Sequence, residues 1–294
     1  MSVQIADNKK TTVAEMLSSV GEIATLPEVT VKIIDVVENP NGTARDLQEV
    51  IKTDPVLSAK VLKVVNSAFY GLPGQVDSVD RATVLLGGAA IKNISITASL
   101  VRMFDGKHYP NLFHAKDLWR HCVAVGVAAR GIARCAGHSF ATDEIFMAGL
   151  IHDLGLLVVR QAVPRKLAEV CRQCEQRAGD FLQLEEEHIG ATHQDLGEAL
   201  ATQWRFPKHL RAAVGFHHNP EMLPDELQLV PMILRCADIL CCQQQLGFSL
   251  LANEEAFPQA VLDAAGVTVD QLNDIRETLV SELKEAEAVF GSND

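Results

Sequence analysis

VTVKIIDVVENPNGTARDLQEVIKTDPVLSAKVLKVVNSAF, residues 29–69, decides how the chain folds. In its first ten residues Val29, Ile33, Ile34 and Val37 recur at helical spacing, so one face is apolar. NPNG at 39–42 breaks that helix. Thr43, with Asp46 three residues on, gives the next helix a capping-box start. That helix, ARDLQEVIKT, stops before Asp54-Pro55. Pro55 suits the first turn of a third helix, VLSAKVLKVVNSAF, and Asp54 reads as its N-cap rather than as an acid catalyst. Gly71, Pro73 and Gly74 then form a loop. A further helix pair runs through SVDRATVLLGGAAIKNISITASLVRMF. Short helices with short connections predict an all-α unit over residues 14–104.

Composition agrees. Of 294 residues 48% are hydrophobic and only 5% aromatic, so the core rests on aliphatic residues packed between helices. The net charge of −12 argues against sequence-independent binding of DNA or RNA, which requires excess Lys and Arg. No apolar run is read as a membrane span. The seven cysteines sit mostly in apolar helical stretches, as reduced core cysteines do, and with no secretory h-region they place the protein in the cytoplasm. Cys171 and Cys174 form one CxxC without a second, inside a helical pattern, and read as structural.

DGKHYPNLFH, residues 105–114, is polar and turn-rich and marks a boundary. Beyond it a second helical domain over 111–294 is expected, with helices at 116–136, 142–162, 164–177, 194–204, 207–217 and 229–244. Residues 245–266 are mixed. A last helix starts near Thr268, with Gln271 completing its cap. Its stripe of Leu272, Ile275, Leu279, Leu283, Ala286 and Phe290 is read as docking on its own domain rather than on a partner helix. GSND at the end is read as frayed.

This second half carries imidazoles and isolated carboxylates in apolar surroundings. His121 lies on a helix; His152 and Asp153, in AGLIHDLGLLVV, are read on a helix as well; His193 starts one; His217 and His218 end one; Asp238 sits in MILRCADILCC. Imidazole and carboxylate bind Fe, Mn, Zn or Ni, and an Asp can bridge two ions. Each residue alone also fits a hydrogen-bonded core position, and Asp238 also fits a cap or an Arg partner. Adjacent helical residues point about 100° apart, so His152 and Asp153 converge only on a cluster set against their helix edge.

The order H…HD…H…HH…D resembles the HD superfamily of metal-dependent phosphohydrolases. Residues 26–88, with Asp54-Pro55, NSAFYG at 66–71 and LLGG at 85–88, narrow the resemblance to the HDOD family of bacterial signalling proteins. It runs from about residue 20 to about 245. It implies an N-terminal helical bundle packed on a C-terminal HD-like helical domain. It implies that His121, His152, Asp153 and Asp238 hold a first ion, and that His193, His217 and His218 match further ligands used by HD-GYP relatives. One or two divalent transition-metal ions (Fe, Mn, Zn or Ni) are the cofactors it implies. Two departures bear on function. Leu156 stands where HD-GYP proteins have a lysine, and Asn219-Pro220-Glu221 follows the His doublet without a GYP loop. A cation for substrate phosphate is therefore missing.

The expectation is a regulatory signalling protein that acts through partner proteins, which supply the output. The alternative is an active phosphohydrolase or phosphodiesterase with a nucleotide or cyclic dinucleotide as ligand; no catalytic residue is assigned. A lesser alternative is a di-iron redox or gas sensor. Asn66, Ser67 and Tyr70 are read with Asp54 and Pro55 as fold-defining, through backbone hydrogen bonds at a helix end.

Overall fold

The computed structural model of the chain describes residues 2–21, 25–104, 113–138, 142–176, 180–250 and 256–290, and all regular structure among them is helical. Most of the boundary expected at 105–114, and the tail at 291–294, lie outside the described residues.

In the first half, α1 spans Ser2–Ser19, α2 Glu28–Glu38, α3 Ala44–Lys52, α4 Pro55–Val65, α5 Val79–Leu86 and α6 Gly88–Leu100. The start signals act as their chemistry requires. Thr43 and Asp46 form a full capping box on α3, and the Asp54 side chain accepts from the amides of Val56 and Leu57. The helix expected to continue to Phe69 stops at Val65, and Asn66 is the reason. Its Nδ2 donates to the carbonyls of Leu62 (2.9 Å) and Val76 (2.7 Å), and its Oδ1 accepts from the Val76 amide at 2.6 Å. One side chain thus ends α4 and ties down the returning loop. Ser67 Oγ donates to Val64 O at 2.6 Å. NSAFYG is therefore structural at its polar end. Asn66→Ala leaves the Val76 amide and carbonyl without partners, and is expected to cost about 2–3 kcal/mol in urea unfolding. A loss below about 0.5 kcal/mol would mean that water replaces the side chain at no cost.

In the second half, α7 spans Ala115–Cys135, α8 Thr142–Ile151, α9 Leu154–Ala162, α10 Pro164–Glu175, α11 Phe181–His188, α12 His193–Gln203, α13 Lys208–Phe216, α14 Asp225–Gln243, α15 Gln259–Ala265 and α16 Val269–Phe290. The long helix α7 is central and packs on α8, α14 and α16. Its small residues allow this: between Leu118 and Ala129 every position except Arg120 is buried, which suits a helix covered on several sides. The apolar stripe of α16 docks on α7, and Trp119 Nε1 donates to Phe290 O at 2.8 Å. That stripe is the protein's own core, as the sequence suggested.

Phe69 pins the two halves together. Its ring lies 5.0 Å from Phe146 and 5.9 Å from Phe290, with the Arg130 guanidinium 4.3 Å over it. The buried residues of both halves merge into one core. Helix α1, which begins before residue 14, packs on α9 and α12 of the second half. There Lys9 pairs with Glu186 and with Asp195, the latter at 2.8 Å. The sequence reading missed α1, α11 and α15, whose apolar stripes are short.

Two expectations are corrected at residues 142–162. This segment is not one helix: α8 ends at Ile151 and α9 starts at Leu154. It is also long and apolar enough to cross a membrane, with a mean hydropathy of 1.4, contrary to the reading of no such run. Within the protein 89% of its 18-residue apolar window is buried, as expected of a core segment.

Candidate metal centre

The break between α8 and α9 falls on His152 and Asp153. His152 Nδ1 donates to Gly149 O at 2.7 Å, and Asp153 is the N-cap residue of α9. Released from helical geometry, the two successive side chains face the same interior space. His193 is the first residue of α12, placed by a capping box between Thr192 and Asp195. His217 and His218 directly follow the last residue of α13, and α7 and α14 supply His121 and Asp238.

The structure brings all seven of these residues together. Asp153 is the hub. Its Oδ1 lies 3.5 Å from His193 Nε2 and 3.4 Å from His217 Nε2. Its Oδ2 lies 3.2 Å from His152 Nε2 and 3.8 Å from His121 Nε2. His121 Nε2 is 3.2 Å from Asp238 Oδ1, and His218 Nδ1 is 3.8 Å from Asp238 Oδ2. Six of the seven are fully buried, and His218 is 7% exposed.

These contacts are short, yet few are hydrogen bonds. Both ring nitrogens of His121, Nε2 of His152 and of His218, both oxygens of Asp153 and Oδ2 of Asp238 are buried without a hydrogen-bond partner. Orphans in such number are costly unless an ion sits among them. The histidines are also set for ligation. His152 donates through Nδ1 to Gly149 O, His193 through Nδ1 to Glu185 Oε2 at 2.7 Å, and His217 through Nδ1 to Val214 O at 3.0 Å. With Nδ1 committed, each turns Nε2 to the interior. His193 Nε2 and His217 Nε2 stand 3.4 Å apart. Two nitrogens bound at about 2.1 Å to one tetrahedral ion stand about 3.4 Å apart. The residues therefore fit a metal. Asp153, His193, His217 and His218 offer one group of ligand atoms, and His121, His152 and Asp153 another, with Asp153 common to both.

The charge states suit an ion as well. Burial alone would raise the Asp153 carboxyl, but His152 and the neighbouring imidazoles hold it well below the usual carboxylate range. Burial opposes a proton on His152, yet Asp153 outweighs it and raises this imidazole. Burial likewise opposes a proton on His193, and Glu185 outweighs it. Burial pushes His217 down to about 4. Protons on His152 and His193 thus occupy places that an ion would take, so metal and protons compete.

The sequence reading missed two groups. Glu185 is fully buried, and its Oε2 accepts from both the backbone amide (3.0 Å) and Nδ1 of His193. It hides in the acidic run Glu185-Glu186-Glu187, which reads as a solvated face. Its one signal is its position after Leu184, on the helix edge that Phe181 buries. Arg235 Nη1 donates to His218 Nδ1 at 2.7 Å. Glu185→Gln is expected to weaken metal binding about 10–100-fold in a chelator competition titration. Unchanged affinity would reduce Glu185 to a space filler.

Leu156, at the place of the missing lysine, is fully buried. Cys171 and Cys174 are buried on α10, with their thiols pushed up to about 12 chiefly by burial, and belong to no group of metal-ligating atoms among the described residues.

Comparison with known proteins agrees with this architecture. The family profile of the HDOD domain matches residues 23–220. A relative from Treponema pallidum (strain Nichols), itself uncharacterized, is 25% identical over 226 residues, which make up 76% of this chain and 43% of that protein. The chain thus spans less than half the length of that relative. An HDOD domain protein of unknown function from Geobacter sulfurreducens superposes with a TM-score of 0.80 at 22% identity, covering 98% of this chain and all of that one (100%). A candidate metal-dependent phosphohydrolase from Shewanella amazonensis SB2B superposes with a TM-score of 0.62 at 19% identity, covering 97% and 99% of the two chains. At these identities the two structures attest the fold.

Proposed function

Because the chain belongs to the HDOD family, we propose that it is a signalling module that holds one or two divalent transition-metal ions in its His/Asp cluster and works through partner proteins. The observation that carries this reading is the burial of the cluster. Six of its seven side chains have no exposed surface. A catalytic metal keeps one position open to substrate, whereas a structural or regulatory one is closed by protein ligands. Leu156 supports the same reading, since a buried aliphatic side chain cannot meet a phosphate.

The ligand set favours a second reading. A carboxylate shared by two groups of imidazoles is suited to a pair of ions, and a pair of ions activates water and neutralises charge on a phosphate. The Shewanella amazonensis protein of similar fold is described as a candidate metal-dependent phosphohydrolase. In this reading His193, His217 or His218 would hold the second ion or donate a proton.

One experiment separates the two. The metal-loaded full chain is incubated with cyclic di-GMP and a nucleotide panel in Mn, Fe, Ni or Mg, and co-purifying proteins are compared between wild type and Asp153→Asn. The signalling reading expects no turnover above the protein-free rate, and a partner whose capture depends on Asp153. Turnover abolished by Asp153→Asn, with no such partner, would replace it with the hydrolase reading.

A further inference from the structure

We propose that Cys242 supplies a thiolate to the ion held by His121 and Asp238. That side of the centre would then be a mixed His/Asp/Cys site. The proposal rests on the reading of the cluster as a metal centre and extends it to a ligand type absent from the His/Asp pattern.

Cys242 lies four residues after Asp238 on α14, so both side chains project from one face of that helix. Its Sγ donates to Asp238 Oδ1 at 3.4 Å. The same oxygen is 3.2 Å from His121 Nε2, in an approach not aligned as a hydrogen bond. Imidazole, carboxylate and sulfur thus converge, with one ligand atom of each within 4.8 Å of the others, and all three residues are buried. The set has a second sign of a ligand. Both nitrogens of His121 and Oδ2 of Asp238 are fully enclosed and without partners. Adjacent Cys241 is buried too but belongs to no such group, so the convergence comes from position on the helix and not from cysteine content.

Sulfur changes which ion the site prefers. Thiolate, imidazole and carboxylate together suit zinc, ferrous iron or cobalt, whereas magnesium and calcium demand oxygen. As the sulfur–metal bond forms the thiol gives its proton to solvent, so loading releases one proton more than a His/Asp set would.

Cobalt(II) is the test, since it reports the site and the sulfur separately. It is titrated into metal-stripped full chain of wild type, Cys242→Ser and Cys122→Ser, the last because buried Cys122 lies against His152 and is the other sulfur at the cluster's edge; Cys242→Ala serves if the serine variant does not fold. The expected result is visible d–d bands in every protein. A sulfur-to-cobalt charge-transfer band in the near ultraviolet is expected in wild type and Cys122→Ser, and is lost without Cys242. Cobalt affinity falls about tenfold or more with it. Visible bands in wild type without the charge-transfer band would overturn the role of Cys242 and leave the metal centre standing. A charge-transfer band that survives in the Cys242 variants would overturn it as well. The absence of any visible band in wild type would overturn the metal centre itself, and Cys242 with it.

Discussion

Asp153→Asn protein is expected to fold and to retain essentially no transition metal, against about one to two ions per chain in wild type. Asn keeps the shape of Asp, so packing survives, but an amide is a poor ligand and carries no charge. Asp153 faces four histidines, with its two oxygens turned to different pairs. Removing it takes the anion from both ligand groups at once, and binding is expected to weaken by more than the roughly 100-fold seen for groups that only support a ligand. Elemental analysis of untagged protein measures the stoichiometry, and a thermal melt supplies an independent readout. An ion in 100-fold excess over its dissociation constant stabilises the wild type by about 2.7 kcal/mol, and the variant should gain nothing. If Asp153→Asn holds metal as tightly as wild type, the cluster is a polar patch in a helical core, and ions bind elsewhere.

Gly155→Ala is expected to be the most destabilising single methyl in the protein. A Cβ at Gly155 would stand 1.8 Å from the carbonyl oxygen of His193 and 2.8 Å from the amide nitrogen of Gly197. Both neighbours are backbone, so no rotamer change relieves the clash. Helices α9 and α12 touch main chain to main chain there, and the displaced segment is the one that aims His193. A cost of at least about 3 kcal/mol is expected, or a melting temperature lower by roughly 6–12 °C. Metal affinity should fall with it. Gly131→Ala is the control. Its Cβ would meet Ile275 at 3.5 Å, an ordinary contact, and Ala favours a helix, so the change should stay within about 1 kcal/mol. Equal melting of the two variants would refute the close approach of α9 and α12.

Much of this was legible because local chemistry wrote it. The capping box of Thr43 and Asp46, the Asp54 cap and the pairing of Thr268 with Gln271 each need only neighbours three residues apart. The order His121, His152, Asp153, His193, His217, His218, Asp238 drew attention because carboxylates and paired imidazoles are rare in apolar runs. The break at His152 was hidden by those same runs: α8 is buried from Ile145 to Ile151, so no periodicity marks where it stops. Glu185 and Cys242 were hidden for another reason. Each is an ordinary residue at an ordinary helical position, and only the fold brings Glu185 to His193 and Cys242 to His121.

The enclosure of the cluster also sets a clock. Side chains with no exposed surface can meet or release an ion only when the surrounding helices open, so exchange proceeds at the frequency of local unfolding and not of diffusion. An ion caught there as the chain folds would outlast swings in the metal supply around it. A metal centre of this kind would keep a record of the conditions at synthesis, where an open site would follow the present moment.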